Sequence, residues 1–172
     1  MSTTSHSAKV VVLGMGNLLL KDEGIGVHVA HALQETPPGN VELEVIDGGT
    51  LPDAALSLDT ADKLVVVDAV QTGGEPGAIY RFRPEDIGVD SGIVTSLHQV
   101  SLLENLWLME RFGNGPKDVV IIGVEPEDIG LGLELSGRLQ QQIPQIVRVV
   151  LAEIDPEHPD SPAKGEKRDD NF

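Results

Sequence analysis

Five short segments rich in Val, Ile and Leu recur along the 172-residue chain, and they constrain its fold more than any other feature. Runs of this length, bounded by Gly, Pro or Asp, are typical of buried β-strands. Aromatic residues make up only 3% of the chain against 40% apolar residues, so the core must consist mainly of aliphatic side chains, which suits parallel strands covered by helices. The predicted strands are residues 10–13, 41–46, 64–67, 78–82 and 118–123.

Segments with the apolar spacing of helices alternate with these strands. The first begins at Ile25 and must end before Pro37, because proline cannot continue a helix. Further helices are predicted at residues 52–58, 97–112 and 131–151, the last of them interrupted or bent at Pro144. This order predicts an α/β fold, a three-layer αβα sandwich on a mostly parallel, twisted five-stranded sheet.

The limits of the domain follow from the same patterns. Glu42 and Glu44 alternate with apolar residues in the second strand, so we expect that strand near an edge of the sheet. We expect a single domain in residues 1–152, as the length suggests. Residues 153–172 are charged and rich in proline without an apolar pattern, and they are predicted to be an acidic, disordered tail.

The charge of the chain restricts its partners. It carries 28 acidic and 12 basic residues, a net charge of −16. Such a charge disfavours binding to nucleic acid and to anionic membranes, both of which attract Lys and Arg. A cationic or metal-bearing partner fits better, although the charge could equally serve solubility alone. The beginning of the chain lacks the apolar region of a signal peptide, so we expect a soluble cytoplasmic protein, with a monomer as the default state.

Acidic residues stand where a ligand would bind in such a fold. Ligands of open parallel sheets lie beyond the carboxyl ends of the strands. Asp47 and Asp68 follow two predicted strands, and Glu23 follows the turn after the first strand. These three carboxylates are expected to converge on one edge of the sheet. Taken singly, each is also explained as a strand end or as the acidic start of a helix.

The turn after the first strand resembles a dinucleotide-binding fingerprint only in part. Gly14 and Gly16 match the first two glycines, but Leu19 stands where the third should be. Asp22 and Glu23 would repel a pyrophosphate at this position. We therefore favour glycines that allow a tight turn and bring a carboxylate to the cleft, and we keep a dinucleotide-binding module as an alternative.

His98 is the candidate histidine, because it lies at the predicted start of the helix over residues 97–112. In isolation a solvent-facing or capping histidine explains it as well. An imidazole and two carboxylates form a mixed nitrogen and oxygen donor set that accepts nickel or zinc. The chain has no cysteine, and it has neither a Gly-x-Ser-x-Gly elbow nor a His-Glu-x-x-His motif. A protease built on this chain would have to rely on a metal.

Taken together, these motifs resemble the hydrogenase maturation endopeptidases. The segment Gly-Met-Gly-Asn-Leu-Leu-Leu-Lys-Asp-Glu-Gly-Ile-Gly at residues 14–26 is the most specific part of the resemblance. Asp-Gly-Gly-Thr at 47–50, Val-Asp-Ala at 67–69, Ser-Leu-His-Gln at 96–99 and Gly-Val-Glu-Pro at 123–126 follow in the family's order. The resemblance covers roughly residues 9–150.

The resemblance implies a set of site residues. The metal-binding positions of the family fall on Glu23, Asp68 and His98, and a residue implicated in processing falls on Asp47. Leu97 stands where the family often has a proline, so the turn before His98 can differ. No function is implied for the acidic residues at the end of the chain.

The resemblance also implies an unusual peptidase activity. Members of the family recognise nickel already installed in the precursor of a [NiFe]-hydrogenase large subunit, and they then cut off its C-terminal extension. Nickel would thus come from the substrate and would not be a resident cofactor. We expect the large-subunit precursor to be the partner. A non-catalytic nickel carrier or assembly scaffold is the second alternative.

Overall fold

A computed structural model describes residues 8–35, 37–39, 41–50, 58, 61–87 and 97–155, with the backbone alone for residues 97–99. It contains a five-stranded sheet in the order β2-β1-β3-β5-β4. All neighbouring strands are parallel except β4, which pairs antiparallel with β5. The strands are β1 (Lys9–Met15), β2 (Glu42–Gly49), β3 (Lys63–Ala69), β4 (Ile79–Phe82) and β5 (Asp118–Val124).

Three α-helices accompany the sheet in the described part of the chain, namely α1 (Ile25–Glu35), α2 (Leu97–Arg111) and α3 (Gly137–Ile154). The predicted three-layer α/β fold is confirmed, and β2 lies at an edge of the sheet, as predicted. The predicted helix at residues 52–58 falls outside the described residues except for Leu58, which is fully buried. No helix in the described ranges combines the length and apolar character needed to cross a bilayer.

The aliphatic strands are buried on both faces, which explains their continuous apolar runs. Side chains alternate between the faces of a strand, so Val10 and Val12 contact one helical layer while Val11 and Leu13 contact the other. The first layer consists of α1 and α3, and the second includes Leu102 and Leu106 of α2. Each fully buried Val or Leu contributes roughly 1.5–3 kcal/mol relative to exposure.

The start of α3 differs from the prediction. The helix begins at Gly137, six residues after the predicted position 131, and Ser136 caps it by accepting a hydrogen bond from the Leu139 N–H. Leu131 and Leu133, which the prediction placed in this helix, are exposed residues of the loop before it. The loop is held instead by the buried carboxylate of Asp22, which accepts a 2.7 Å hydrogen bond from the Ser136 N–H.

The predicted boundary between the domain and the tail is also wrong by two residues. Glu153 and Ile154 belong to α3 and are both 7% exposed. Glu153 bonds to Arg81 of β4 at 2.5 Å and to Lys63 of β3 at 3.3 Å. A charged residue thus lies inside the domain because partners on two strands neutralise it. Pro144 lies within α3, which continues through it.

Candidate active site at the carboxyl edge of the sheet

Gly26 sets how closely α1 approaches the sheet. A β-carbon at this position would lie 2.1 Å from the carbonyl oxygen of Val67 and 2.3 Å from that of Met15. Only a residue without a side chain allows this contact. The N-terminus of α1 therefore lies directly over the ends of β3 and β1, together with the short 3-10 helix, Lys21–Gly24, that precedes it.

Glu23 and Asp68 are carried by these two contacting elements. Glu23 lies in the 3-10 helix, which contacts β3. Asp68 follows Val67 in β3, is only 1% exposed, and accepts a 2.8 Å hydrogen bond from the Ala69 N–H. Glu23 is half-buried. The two predicted carboxylates thus occupy neighbouring positions at the same edge of the sheet.

Asp22 has a different role from Glu23, although the two are adjacent. It is fully buried and accepts hydrogen bonds from the N–H groups of Glu127, Asp128 and Ser136 at 2.7–2.9 Å. Lys21 adopts a φ of 45° and forms an ion pair with Asp128. Asp22 therefore fastens the loop before α3 to the 3-10 helix, and the interpretation of this acidic pair as a solvated helix start is wrong for Asp22.

Asp47 lies at the end of β2, in line with the other strand ends. Gly14 pairs with Asp47 on one side and with Val67 on the other, so these positions are separated by two strand spacings, about 10 Å. Its Oδ1 accepts a 3.1 Å hydrogen bond from the Gly49 N–H. Its Oδ2 lies 2.9 Å from the Nε2 of His31. His31 was not a candidate, but the crossover β1-α1-β2 places α1 beside β2 and could have indicated this contact.

His28 lies one turn before His31 on α1 and is half-buried. Burial lowers the pKa of His28 below its ordinary value of 6.5, the neighbouring His31 lowers it further, and Asp22 opposes the change. Its Nε2 is buried without a hydrogen-bond partner among the described residues. We assign His28 to the packing of α1.

His98 is the second residue of α2, so the predicted start of this helix at Leu97 is confirmed. Its side chain lies outside the described part of the structure. In the part that is described, no group of three His, Asp or Glu side chains is arranged to hold a metal ion. The association of His98 with Glu23 and Asp68 therefore stays a prediction. Two carboxylates near a helix start remain a suitable partial ligand set for a nickel ion brought by a substrate.

Glu125 lies just beyond the end of β5 and orders the loop that follows β3, a role that its motif did not indicate. It is 5% exposed and accepts hydrogen bonds from the Thr72 hydroxyl at 2.8 Å and from the N–H groups of Thr72 and Gly73. A groove of about 420 Å³ adjoins it, lined by residues 71–73, 125–127 and Ile129. Because Asp68 pairs with Gly123, the groove lies beyond the ends of the same two neighbouring strands, β3 and β5.

The glycine turn after β1 is not shaped for a dinucleotide. The Gly16 N–H donates a 2.9 Å hydrogen bond to the Gly49 carbonyl oxygen. A β-carbon at Gly16, whose φ is 136°, would lie 1.9 Å from the carbonyl oxygen of Glu23. The 3-10 helix thus fills the space above the turn in which a phosphate would have to bind.

Comparison with known proteins identifies the family of this chain. Residues 27–153 match the HycI hydrogenase maturation protease family. The chain is 31% identical over 148 residues to the hydrogenase 2 maturation protease of Escherichia coli, covering 85% of this chain and 90% of that protein. It is 35% identical over 133 residues to the hydrogenase expression/formation protein HupD of Bradyrhizobium diazoefficiens, covering 75% and 68%.

Solved structures show the same fold. The hydrogenase maturating endopeptidase HybD from E. coli superposes with a TM-score of 0.76 at 28% identity, covering 87% of this chain and 94% of that one. The family match includes four of the five strands and all three described α-helices, except the first two residues of α1 and the last residue of α3. The chain belongs to the hydrogenase maturation protease family.

Proposed function

We propose that this protein is an endopeptidase that removes the C-terminal extension from a nickel-loaded [NiFe]-hydrogenase large-subunit precursor. In this proposal Glu23, Asp68 and His98 contact the nickel of the precursor. The observation that carries it is the contact between the 3-10 helix bearing Glu23 and the strand β3 bearing Asp68, in a chain that belongs to the hydrogenase maturation proteases.

The donor types favour an ion that arrives with its substrate. The proposed set has two carboxylates and one imidazole, and the chain has no cysteine. Such a set without thiolates would hold free nickel only modestly, since nickel in proteins also takes softer sulfur ligands. The precursor would supply those ligands. The protease would then distinguish a loaded precursor from an empty one by completing the coordination of the ion.

Contact with the ion would serve positioning and polarisation. Three residues that grip the substrate at its metal centre hold the peptide bond beside that centre in a fixed place. A bound divalent ion can also polarise a carbonyl group. Asp47, about 10 Å across the sheet edge from Val67, would orient a water molecule or the substrate backbone. Its contact with His31 would fix the direction of that carboxylate.

The test is a cleavage assay on nickel-loaded and nickel-free precursor, read by mass spectrometry of the large subunit. Cleavage of the loaded form alone is expected. Equal cleavage of both forms would refute nickel recognition, while absence of cleavage of either form would refute the endopeptidase activity. A nickel carrier would instead change the metal content of the precursor without changing its mass.

A separate measurement, thermal stability, tests the alternative of a dinucleotide-binding module. Thermal stabilisation by a dinucleotide, but not by nickel-loaded precursor, would favour it. The filled space above Gly16 opposes that alternative. The nickel carrier is opposed by the absence of cysteine and of a histidine-rich tract.

A further inference from the structure

Four large aliphatic side chains form an exposed patch at the edge of the candidate site. Leu19 is 61% exposed, Ile129 45%, Leu131 85% and Leu133 67%. We call these four residues the aliphatic patch. Because these side chains are largely exposed, they contribute little to the buried core. Exposed apolar clusters of this kind mark interaction sites.

The two segments that carry the patch are joined by their backbones. Leu20 and Gly132 form a parallel bridge. The Gly132 N–H donates a 2.9 Å hydrogen bond to the Leu19 carbonyl oxygen, and the Lys21 N–H donates a 3.0 Å bond to the Gly132 carbonyl oxygen. The buried carboxylate of Asp22 fastens the same loop from below. The patch is therefore preformed, and a partner would not have to pay the entropy of ordering it.

The patch borders two elements of the candidate active site. Ile129 lines the groove that also contains Glu125 and residues 71–73. Glu23 lies two residues after Lys21 in the 3-10 helix that the patch borders. A polypeptide whose scissile bond reached Glu23 and Asp68 would have flanking residues within reach of this surface, because extended chain advances about 3.3 Å per residue.

The surroundings of the patch are acidic. Residues 17–24 and 125–136 contain six acidic residues and one basic residue. The basic residue, Lys21, forms an ion pair with Asp128. Asp22 is buried, whereas Glu127 and Glu134 are exposed beside the patch. A partner for this surface must therefore combine aliphatic side chains with positive charge.

We propose that the aliphatic patch binds an aliphatic, basic segment of the precursor that flanks the scissile bond. This inference rests on the proposed function and adds the surface and chemistry by which the polypeptide is recognised. A second copy of this chain fits less well, because a symmetric contact would place the exposed acidic residues beside the patch, Glu127 and Glu134, close to those of the other copy. Residues 156–172 also fit less well, since they contain no Leu, Ile, Val or Met and carry five acidic against three basic residues.

The first test compares two double variants in steady-state cleavage of nickel-loaded precursor. Leu131→Ala with Leu133→Ala truncates the two most exposed of the four patch residues. Leu108→Ala with Phe112→Ala removes exposed apolar side chains from the end of α2 and from the residue that follows it, and Leu108 lies ten residues, or about 15 Å, from His98. All four residues are exposed, so both variants should fold like the wild type.

The patch variant should raise KM about tenfold or more with kcat within about twofold, as expected for lost apolar contacts in binding. The α2 variant should leave both constants within about twofold. An unchanged KM in the patch variant would overturn the proposal. So would an equal rise in KM in the α2 variant, or a fall in kcat alone in the patch variant.

A second experiment tests the acidic residues beside the patch. Glu127→Gln with Glu134→Gln should raise KM about threefold at low salt, and the difference should shrink as salt is added, because exposed charges are screened. A difference that did not depend on salt, or no difference at low salt, would contradict a basic partner. Leu131 and Leu133 are unchanged in this variant, so it separates charge from apolar contact.

Binding measurements keep this inference separate from the proposed cleavage. If the wild type binds full-length precursor tightly and the patch variant binds it about tenfold more weakly, the patch proposal holds even where no cut occurs. If the wild type cleaves the precursor and the patch variant binds it equally well, the patch proposal alone fails. Sedimentation that showed a wild-type dimer, lost in the patch variant, would assign the surface to a second copy and overturn the proposal.

Discussion

A β-carbon on Gly26 would lie 2.1 Å from the carbonyl oxygen of Val67, so the first turn of α1 rests directly on the last part of β3. This contact joins the two halves of the candidate site, because Glu23 precedes Gly26 by three residues and Asp68 follows Val67. The site is thus built by the packing of a helix on a strand and does not depend on a loop. Its geometry should be sensitive to that single contact.

Gly26→Ala should destabilise the protein by about 2–4 kcal/mol, since the added carbon meets backbone atoms that cannot move aside cheaply. Gly137→Ala is the control, because a β-carbon there meets nothing within 4 Å. It should change stability by less than about 0.5 kcal/mol. Urea denaturation of both variants measures the difference, and wild-type stability in Gly26→Ala would show that the helix does not need this approach.

Asp22→Asn should destabilise the fold. The amide NH₂ that replaces one carboxylate oxygen would face a backbone N–H group, so two hydrogen-bond donors would meet in a buried place. The carboxylate accepts three backbone hydrogen bonds, and leaving one donor unsatisfied costs about 1–3 kcal/mol. Thermal unfolding should show the loss. A melting temperature equal to the wild type would mean that this carboxylate does not fasten the loop before α3.

Glu23→Gln, in contrast to Asp22→Asn, should reduce cleavage without changing the fold. The substitution keeps the shape of the side chain but removes the charge that we propose contacts nickel. Cleavage of nickel-loaded precursor should fall by at least about 100-fold, in the range seen when a catalytic interaction is removed. Circular dichroism should remain that of the wild type. Full activity in this variant would exclude Glu23 from the site.

The contact between His31 and Asp47 should affect turnover more than binding. His31→Ala removes the group that lies 2.9 Å from Asp47 Oδ2, so the carboxylate loses its fixed direction. We expect kcat to fall about tenfold and KM to change less than about twofold, as for a lost positioning contact. Partial recovery in His31→Gln, which retains a hydrogen-bond donor, would support positioning. Equal kinetics for the wild type and His31→Ala would contradict it.

Acidic pH should weaken the ion pairs that Glu153 forms with Arg81 and Lys63. Burial raises the pKa of this carboxyl, but bonds to Arg81 and Lys63 outweigh burial and hold the pKa below its ordinary value of 4.5. Above pH 4.5 the carboxyl is ionised in the folded and unfolded chain, so the stabilisation is fully present. As pH falls below 4.5 the unfolded chain binds the proton first, and the stabilisation is lost as pH passes through the lower folded pKa.

Glu153→Gln should therefore cost about 1–3 kcal/mol at neutral pH, and the difference from the wild type should shrink below pH 4.5. Urea denaturation across pH gives both values. Glu110→Gln, at an exposed position on α2, is the control and should show little difference at either pH. A constant penalty for Glu153→Gln down to strongly acidic pH would contradict the ion-pair explanation.

The sequence was sufficient for the parts of the fold that repeat a regular pattern. Strands β1, β3 and β5 are buried on both faces, so their uninterrupted aliphatic runs could hardly be interpreted otherwise. The start of α3 was missed because Leu131, Leu135 and Leu139 recur every four residues, as on a helical face, although Leu131 is exposed in the loop before the helix. Its end was missed because Glu153 resembles a tail residue until Arg81 and Lys63 are seen beside it.

The candidate site was predictable where topology alone decides position. Asp47 and Asp68 had to lie at strand ends once the strands were parallel. Asp22 and Glu23 could not be distinguished, because their difference depends on which carboxylate meets the N–H groups of a loop more than 100 residues away. The contacts of Asp47 with His31 and of Glu125 with Thr72 were missed for the same reason.

The central claim is that residues of this chain contact a nickel ion held by another protein. X-ray absorption at the nickel edge tests it most directly, on nickel-loaded precursor alone and rapidly frozen with the wild type or with His98→Ala. We predict additional nitrogen and oxygen ligands with the wild type and fewer with His98→Ala. A nickel spectrum unchanged by the wild type, in a mixture where the complex has formed, would contradict the account.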